Sequence, residues 1–271
     1  MAARKRTAPQ DFALPAVGID THAHLDLKPL RRDVPGALER ARAAGLARVG
    51  NVFLGPEAYR KHAALFAEHP EVFFVLGIHP HEAASASDDS LAEVERAVRE
   101  DSRIKALGET GLDFFHDRSP RQAQKQGFQA QLRLARELEL PVVIHSRDAD
   151  DQTVKILLQE GFRDRPLLWH CFGREAAFAE EIVSCGWMIS LPGIVTFSRA
   201  KSVQEAVNRI PLARMVLETD CPFLAPEPYR GKTNEPAYTV FTAARIAELS
   251  GRGIEEVWRV TAENAVSFFR L

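Results

Sequence analysis

Cysteine is scarce. Only Cys171, Cys185 and Cys221 occur, an odd number without C-x-x-C spacing, so a disulfide framework is not expected and a reducing cytoplasm suits the chain. No apolar run approaches the ~20 residues a membrane helix needs, and no membrane contact is expected. The formal net charge is only -2, which supplies no general basic field for nucleic acid or anionic lipid. A tight non-specific duplex binder is thereby disfavoured, whereas an enzyme gripping a few phosphates locally is not. The basic triplet Arg4-Lys5-Arg6 is followed by no apolar h-region, so it is no secretory signal, and it reads as a solvated tail rather than a nucleic-acid contact. There is no glycine-rich phosphate loop, no internal repeat, no low-complexity linker and no composition break between domains. No obligate protein partner is evident.

What is present is alternation. From Asp20 onward strand-like and helix-like stretches follow one another, the pattern that builds a parallel sheet. The first strand carries Val17, Ile19 and Thr21. Later strands are expected over 46–53, 72–76, 104–107, 141–144, 167–169, 187–191 and 215–217. Helices are expected over 33–44, 56–68, 90–100, 120–139, 149–160, 175–184, 202–209, 236–249 and 254–269. At 271 residues these suit one α/β domain, a TIM-type (β/α)8 barrel over 17–271 behind an N-terminal extension at 1–16, flexible or packed on the surface. A doubly wound open sheet is the other arrangement considered, and it wants the phosphate loop that is missing.

Chemistry gathers at strand ends. In a strand, residues i and i+2 share a face, so His22 and His24 aim their imidazoles side by side at the end of the first strand. Glu109, His145, His170 and Asp220 end the fourth, fifth, sixth and eighth strands. Closing a barrel would bring those ends to one mouth. Each residue alone has an ordinary explanation, as a hydrogen-bonded histidine or a turn-forming aspartate. Agreement among five strand ends favours a metal site. Four histidines and two carboxylates exceed the ligand set of one open catalytic zinc, so two divalent ions are expected, zinc, manganese or magnesium. His22, His24 and Asp220 are assigned to one ion, His145 and His170 to the other, and Glu109 to both. Asp220 is the candidate general base for an attacking water.

The motifs His22-Ala23-His24, Gly77-Ile78-His79-Pro80, Gly108-Glu109-Thr110-Gly111-Leu112-Asp113, His145-Ser146-Arg147, His170-Cys171-Phe172 and Thr219-Asp220-Cys221-Pro222 occur in this order, followed by Arg230-Gly231-Lys232-Thr233-Asn234-Glu235-Pro236. Together they resemble the TatD-type metal-dependent deoxyribonucleases of the amidohydrolase superfamily. The resemblance spans about Gly18 to Leu271. It implies a two-metal phosphodiesterase with 3′-to-5′ exonuclease activity on DNA, single-stranded or frayed at its ends. The family's metal positions fall on the same six residues, with Glu109 and Asp220 as the catalytic carboxylates. The chain departs from the pattern at Gly173-Arg174-Glu175, where members have Ser-Gly, and in the tail at 1–16, which precedes their usual start.

Substrate contacts are proposed for five residues, each with a plainer alternative. Arg147 is a phosphate clamp or an ion-pair partner of Asp148 or Asp150. His79 donates to a phosphoryl oxygen or stabilises its turn. Asp113 orients a metal-binding histidine or caps the following turn. Arg230 and Lys232 border the site or lie in a solvated loop. Cys221 is rejected as a nucleophile because no free histidine remains to activate it. Trp169 and Trp187 read as core. A hydrolase of small-molecule amides, lactones or phosphoesters is the competing function, since HxH barrels serve many chemistries. Many such enzymes bridge their metals with a carbamylated lysine where this chain has Glu109, and Lys105 falls too early to serve. A metal-stabilised binding module is a third, non-enzymatic possibility.

Overall fold

The computed structural model describes residues 6–271. Arg4 and Lys5, like the start of the 1–16 extension, lie outside the described residues. The first half runs β1 (Gly18–Ala23), α1 (Val34–Ala43), β2 (Leu46–Leu54), α2 (Pro56–His62), β3 (Val72–Gly77), α3 (Asp88–Glu100), β4 (Ile104–Asp113) and α4 (Arg121–Glu137). The second runs β5 (Val142–Arg147), α5 (Asp150–Gln159), β6 (Leu167–Trp169), α6 (Ala176–Ser184), β7 (Met188–Leu191), α7 (Lys201–Val207), β8 (Met215–Leu217), α8 (Thr239–Ser250) and α9 (Ile254–Phe269).

The eight strands form one sheet in the order β1 to β8. Successive pairs from β3 to β7 are parallel, and β1 returns to β8 through the parallel bridge of Ala23 with Cys221. Strand order equal to chain order, a helix after each strand and β1 beside β8 make this a TIM-type (β/α)8 barrel. Among the described residues, no helix is long and apolar enough to cross a membrane.

Contacts group the residues into two compact units. The first comprises the chain up to Gly50, Cys171–Glu180 and Ser190–Ala265. Here every residue of β1 is buried, and the indole of Trp258 from α9 fills the space where a Cβ on Gly18 would stand, so only glycine fits. Trp258 Nε1 donates to the Pro15 carbonyl at 2.9 Å, the Tyr229 hydroxyl to the Thr7 carbonyl at 3.2 Å, and Phe12 meets Phe241 edge-on. The segment ahead of β1 is therefore fastened along its length from Thr7. Asp33 caps α1 by accepting the Gly36 N–H at 3.2 Å.

The second unit comprises Asn51–His170, Glu181–Ile189 and Val266–Leu271. Its core includes Phe53, Phe66 and Phe74, all fully buried and packed edge to face. The helix expected over 56–68 stops at His62 and continues as a 3-10 turn, Ala63–Phe66, whose tighter winding delivers Phe66 to that cluster. The fourth strand, expected to end at 107, runs to Asp113. Its glycines mark close approaches rather than a turn: a Cβ on Gly77 would stand 2.8 Å from the Gly108 backbone.

Two glutamines of α4 hold the neighbouring strand ends. Gln131 accepts from the Ile78 N–H (2.7 Å) and donates to its carbonyl (2.9 Å). Gln124 does the same for Asp113, at 2.8 and 3.1 Å. Seven residues apart is about two helical turns, so both amides lie on one buried face of α4 and satisfy backbone groups that water cannot reach.

Candidate metal centre

In the first unit the backbone ladder between β1 and β8 sets the site. The Asp220 N–H donates to the His22 carbonyl (2.9 Å) and the His24 N–H to the Cys221 carbonyl (2.8 Å). The His22 and His24 Nε2 atoms then lie 3.3 Å apart. Asp220 Oδ1 stands 3.4 Å from His24 Nε2 and 4.0 Å from His22 Nε2. Both imidazoles are buried. Two buried ring nitrogens and one carboxylate oxygen turned on a common point are the donor types that hold zinc or manganese.

Around them Asp20, fully buried, accepts the Thr219 hydroxyl (2.6 Å) and N–H (2.9 Å). Burial nonetheless pushes its carboxyl up to about 8. Glu218, also buried, accepts the Cys171 N–H at 2.7 Å. The Cys221 thiol is buried and pushed well up by that burial, which leaves no thiolate for nucleophilic attack. Trp169 and Trp187 are core residues. In the loop after β8, Arg230 covers the Phe197 ring at 4.4 Å and Lys232 is exposed. Asn234 ties this loop down by donating to the Thr219 and Phe223 carbonyls, at 2.9 and 2.6 Å.

The second unit gathers Glu109, His145, His170 and His79. Glu109 Oε1 is 2.5 Å from His145 Nδ1, 3.0 Å from His170 Nε2 and 3.6 Å from His79 Nε2. Burial opposes ionisation of Glu109, yet the His170 and His145 imidazoles hold its carboxyl well below the usual range. His79 Nδ1 accepts the His81 N–H at 3.1 Å, which leaves its proton on Nε2. Burial pushes His79 down to about 4, so it is a neutral donor near pH 7. It serves its turn and faces Glu109 at once.

Asp113 combines its two expected roles. Oδ1 accepts the backbone N–H groups of Phe115 (3.1 Å) and His116 (2.8 Å), capping the turn. Oδ2 is 3.2 Å from His145 Nε2 and steadies that ring. Arg147 is exposed and lies over the Phe115 ring at 4.6 Å.

Four residues near these groups escaped the sequence reading: Asp20, Glu218, His81 and His116. The first two carried a usable signal. Asp20 precedes His22 by two residues and Glu218 precedes Asp220 by two, the same spacing that paired His22 with His24. His81 depends on the turn after β3 and His116 on the turn after β4, and no periodicity reveals either.

The model of the TatD-related DNase family matches residues 19–270. The chain is 38% identical over 252 residues to the uncharacterized metal-dependent hydrolase YabD of Bacillus subtilis, covering 93% of this chain and 98% of that one. It is 36% identical to the uncharacterized metal-dependent hydrolase TatD of Mycobacterium tuberculosis, covering 91% and 96%. Among solved structures, the TatD homologue YjjV of Escherichia coli superposes with a TM-score of 0.88 at 29% identity, over 94% of this chain and 99% of that one. A TatD family hydrolase of Entamoeba histolytica, 18% identical with a TM-score of 0.86, shares the fold. Matched along nearly its whole length and carrying histidine–carboxylate groups at its strand ends, the chain belongs to the TatD-related DNase family of metal-dependent hydrolases.

Proposed function

We propose that the chain is a two-metal phosphodiesterase that removes nucleotides from the 3′ end of DNA, single-stranded or frayed. The observation that carries this reading is the Glu109 carboxylate with His145 and His170 at 2.5 and 3.0 Å. Ionised and buried, Glu109 is suited to be shared by two cations. His22, His24 and Asp220 would hold one, and His145 and His170 the other. When bound, the cations supply Lewis acidity, polarising a phosphoryl oxygen and lowering the pKa of water.

The protein's own groups do the rest. As the water oxygen bonds to phosphorus and the bond to the leaving sugar oxygen breaks, the Asp220 carboxylate takes the proton of the water and passes it to the departing oxygen. His79 Nε2–H donates to a phosphoryl oxygen. Arg147, held over Phe115, offers its planar fork to a phosphate, and Arg230 and Lys232 take phosphates farther along the strand. Asp113 works through His145 rather than on the substrate. The reduced thiols of Cys171, Cys185 and Cys221 fit a cytoplasmic enzyme.

The competing amide or lactone hydrolase is disfavoured by the fourth strand. Lys105 lies near its beginning, four residues ahead of Glu109, so no lysine stands where a carbamylated bridge would be. The test is incubation of end-labelled single- and double-stranded DNA with several divalent metals, beside Glu109→Ala. Metal-dependent nucleotide release by the wild type and none by the variant is expected. Turnover of an amide or lactone panel with intact DNA would replace this function with the alternative.

A further inference from the structure

Asp113 Oδ2 serves three imidazoles. It lies 2.8 Å from His81 Nε2, 2.9 Å from His116 Nδ1 and 3.2 Å from His145 Nε2. A carboxylate oxygen has two lone pairs, and Oδ1 already accepts two backbone N–H groups. Three ring donors on Oδ2 therefore exceed what that oxygen can accept in good geometry. His145 has an independent position, with its Nδ1 turned to Glu109. The surplus lies with His81 and His116.

Those two rings pack edge to face at 5.1 Å between centroids. His81 Nε2, His116 Nδ1 and Asp113 Oδ2 all fall within 4.8 Å of one another. One cation among two imidazole lone pairs and one carboxylate oxygen removes the excess of donors. The carboxylate is fixed in place, because Asp113 is fully buried and its Oδ1 accepts the Phe115 and His116 backbone N–H groups. Access is secured too, since the His116 side chain is 38% exposed and that of His81 18%. Water can complete the shell on the solvent side. The short turn joining Asp113 to His116, closed by the His116 N–H on Oδ1, presets one ring against the carboxylate.

We propose that His81 Nε2, His116 Nδ1 and Asp113 Oδ2 bind a further divalent cation, in addition to those assigned to the catalytic ligands. Two imidazoles and one carboxylate select zinc, cobalt or manganese over magnesium or calcium. The site rests on the two-metal reading only for the total count of ions.

The test is a metal titration of chelator-stripped protein with cobalt(II), with bound metal per chain measured by mass spectrometry after buffer exchange and by the visible absorption of the ion. His116→Ala and His81→Gln should each bind one equivalent fewer than the wild type, and the cobalt absorption should fall in step. Equal stoichiometry in the wild type and both variants would overturn the proposal. Because His116 is partly exposed, His116→Ala keeps the test valid if His81→Gln does not fold, which the far-ultraviolet circular dichroism melt will show. A wild type holding two equivalents and a His116→Ala holding one would keep this site and remove the two-metal reading instead.

Discussion

Gly111 faces the backbone carbonyl of His145, its register partner on β5, so closely that a Cβ on Gly111 would overlap the oxygen. Its φ of +143° adds strain for any other residue. Gly111→Ala must push β4 and β5 apart beside two proposed ligands. A loss of about 1–3 kcal/mol is expected, typical of forced overpacking, with reduced metal binding. A thermal melt and a metal assay check it. An unchanged midpoint would show that the strands can separate at no cost.

Asp220→Asn keeps the side chain's shape and removes its basicity. The kcat on DNA should fall by roughly 10²-fold or more, while His22 and His24 retain part of the bound metal. Full activity in this variant would remove Asp220 as the proton acceptor.

Arg147 lies across Phe115, which is itself 57% exposed, so the guanidinium is held at the surface. Arg147→Ala should raise KM about tenfold, the worth of one charge-assisted hydrogen bond, and leave kcat nearly unchanged. Steady-state kinetics on a short oligonucleotide decide this. An unaltered KM takes Arg147 out of the phosphate grip.

The Asp101 carboxylate is held by Arg103 at 3.0 and 2.8 Å and by the Tyr59 hydroxyl at 3.0 Å. Burial works against its ionisation, but the Arg103 fork keeps the carboxyl below the usual range. Burial, with Asp101 beside it, pushes Tyr59 up to about 12. The folded pKa of Asp101 thus lies below the unfolded one. Its contribution is complete above the unfolded value of about 4 and disappears as pH falls through the folded value. Asp101→Asn should lower the urea midpoint at pH 7, and the gap to wild type should narrow below about pH 4. A gap of constant size down to pH 3 would assign the loss to packing rather than charge.

The alternation that betrays the barrel is carried by side chains, and it survives in the sequence wherever burial decides the residue. Val72–Gly77 is apolar throughout because it is covered throughout. The fourth strand is harder to read, since Gly108 and Gly111 look like turn formers. They are small because Val143 and His145 of β5 come up against them, a fact about neighbours far along the chain. The pairing of His22 with His24 is legible through strand spacing, and the positions of Glu109, His145, His170 and Asp220 through the ends of their strands. The Asp113 hub is not, because its partners His81, His116 and His145 come from three separate segments. Gln124 and Gln131 look like a polar helix surface until the Ile78 and Asp113 backbones appear beside them.

Trp258 fills the hollow under Gly18 and also secures the Pro15 carbonyl. The opening strand thus leans on an indole of α9, distant from it along the chain. Replacing Trp258 by a small residue would leave a void beneath β1 and release the Pro15 carbonyl. Damage to α9 would in that way loosen the strand that carries His22.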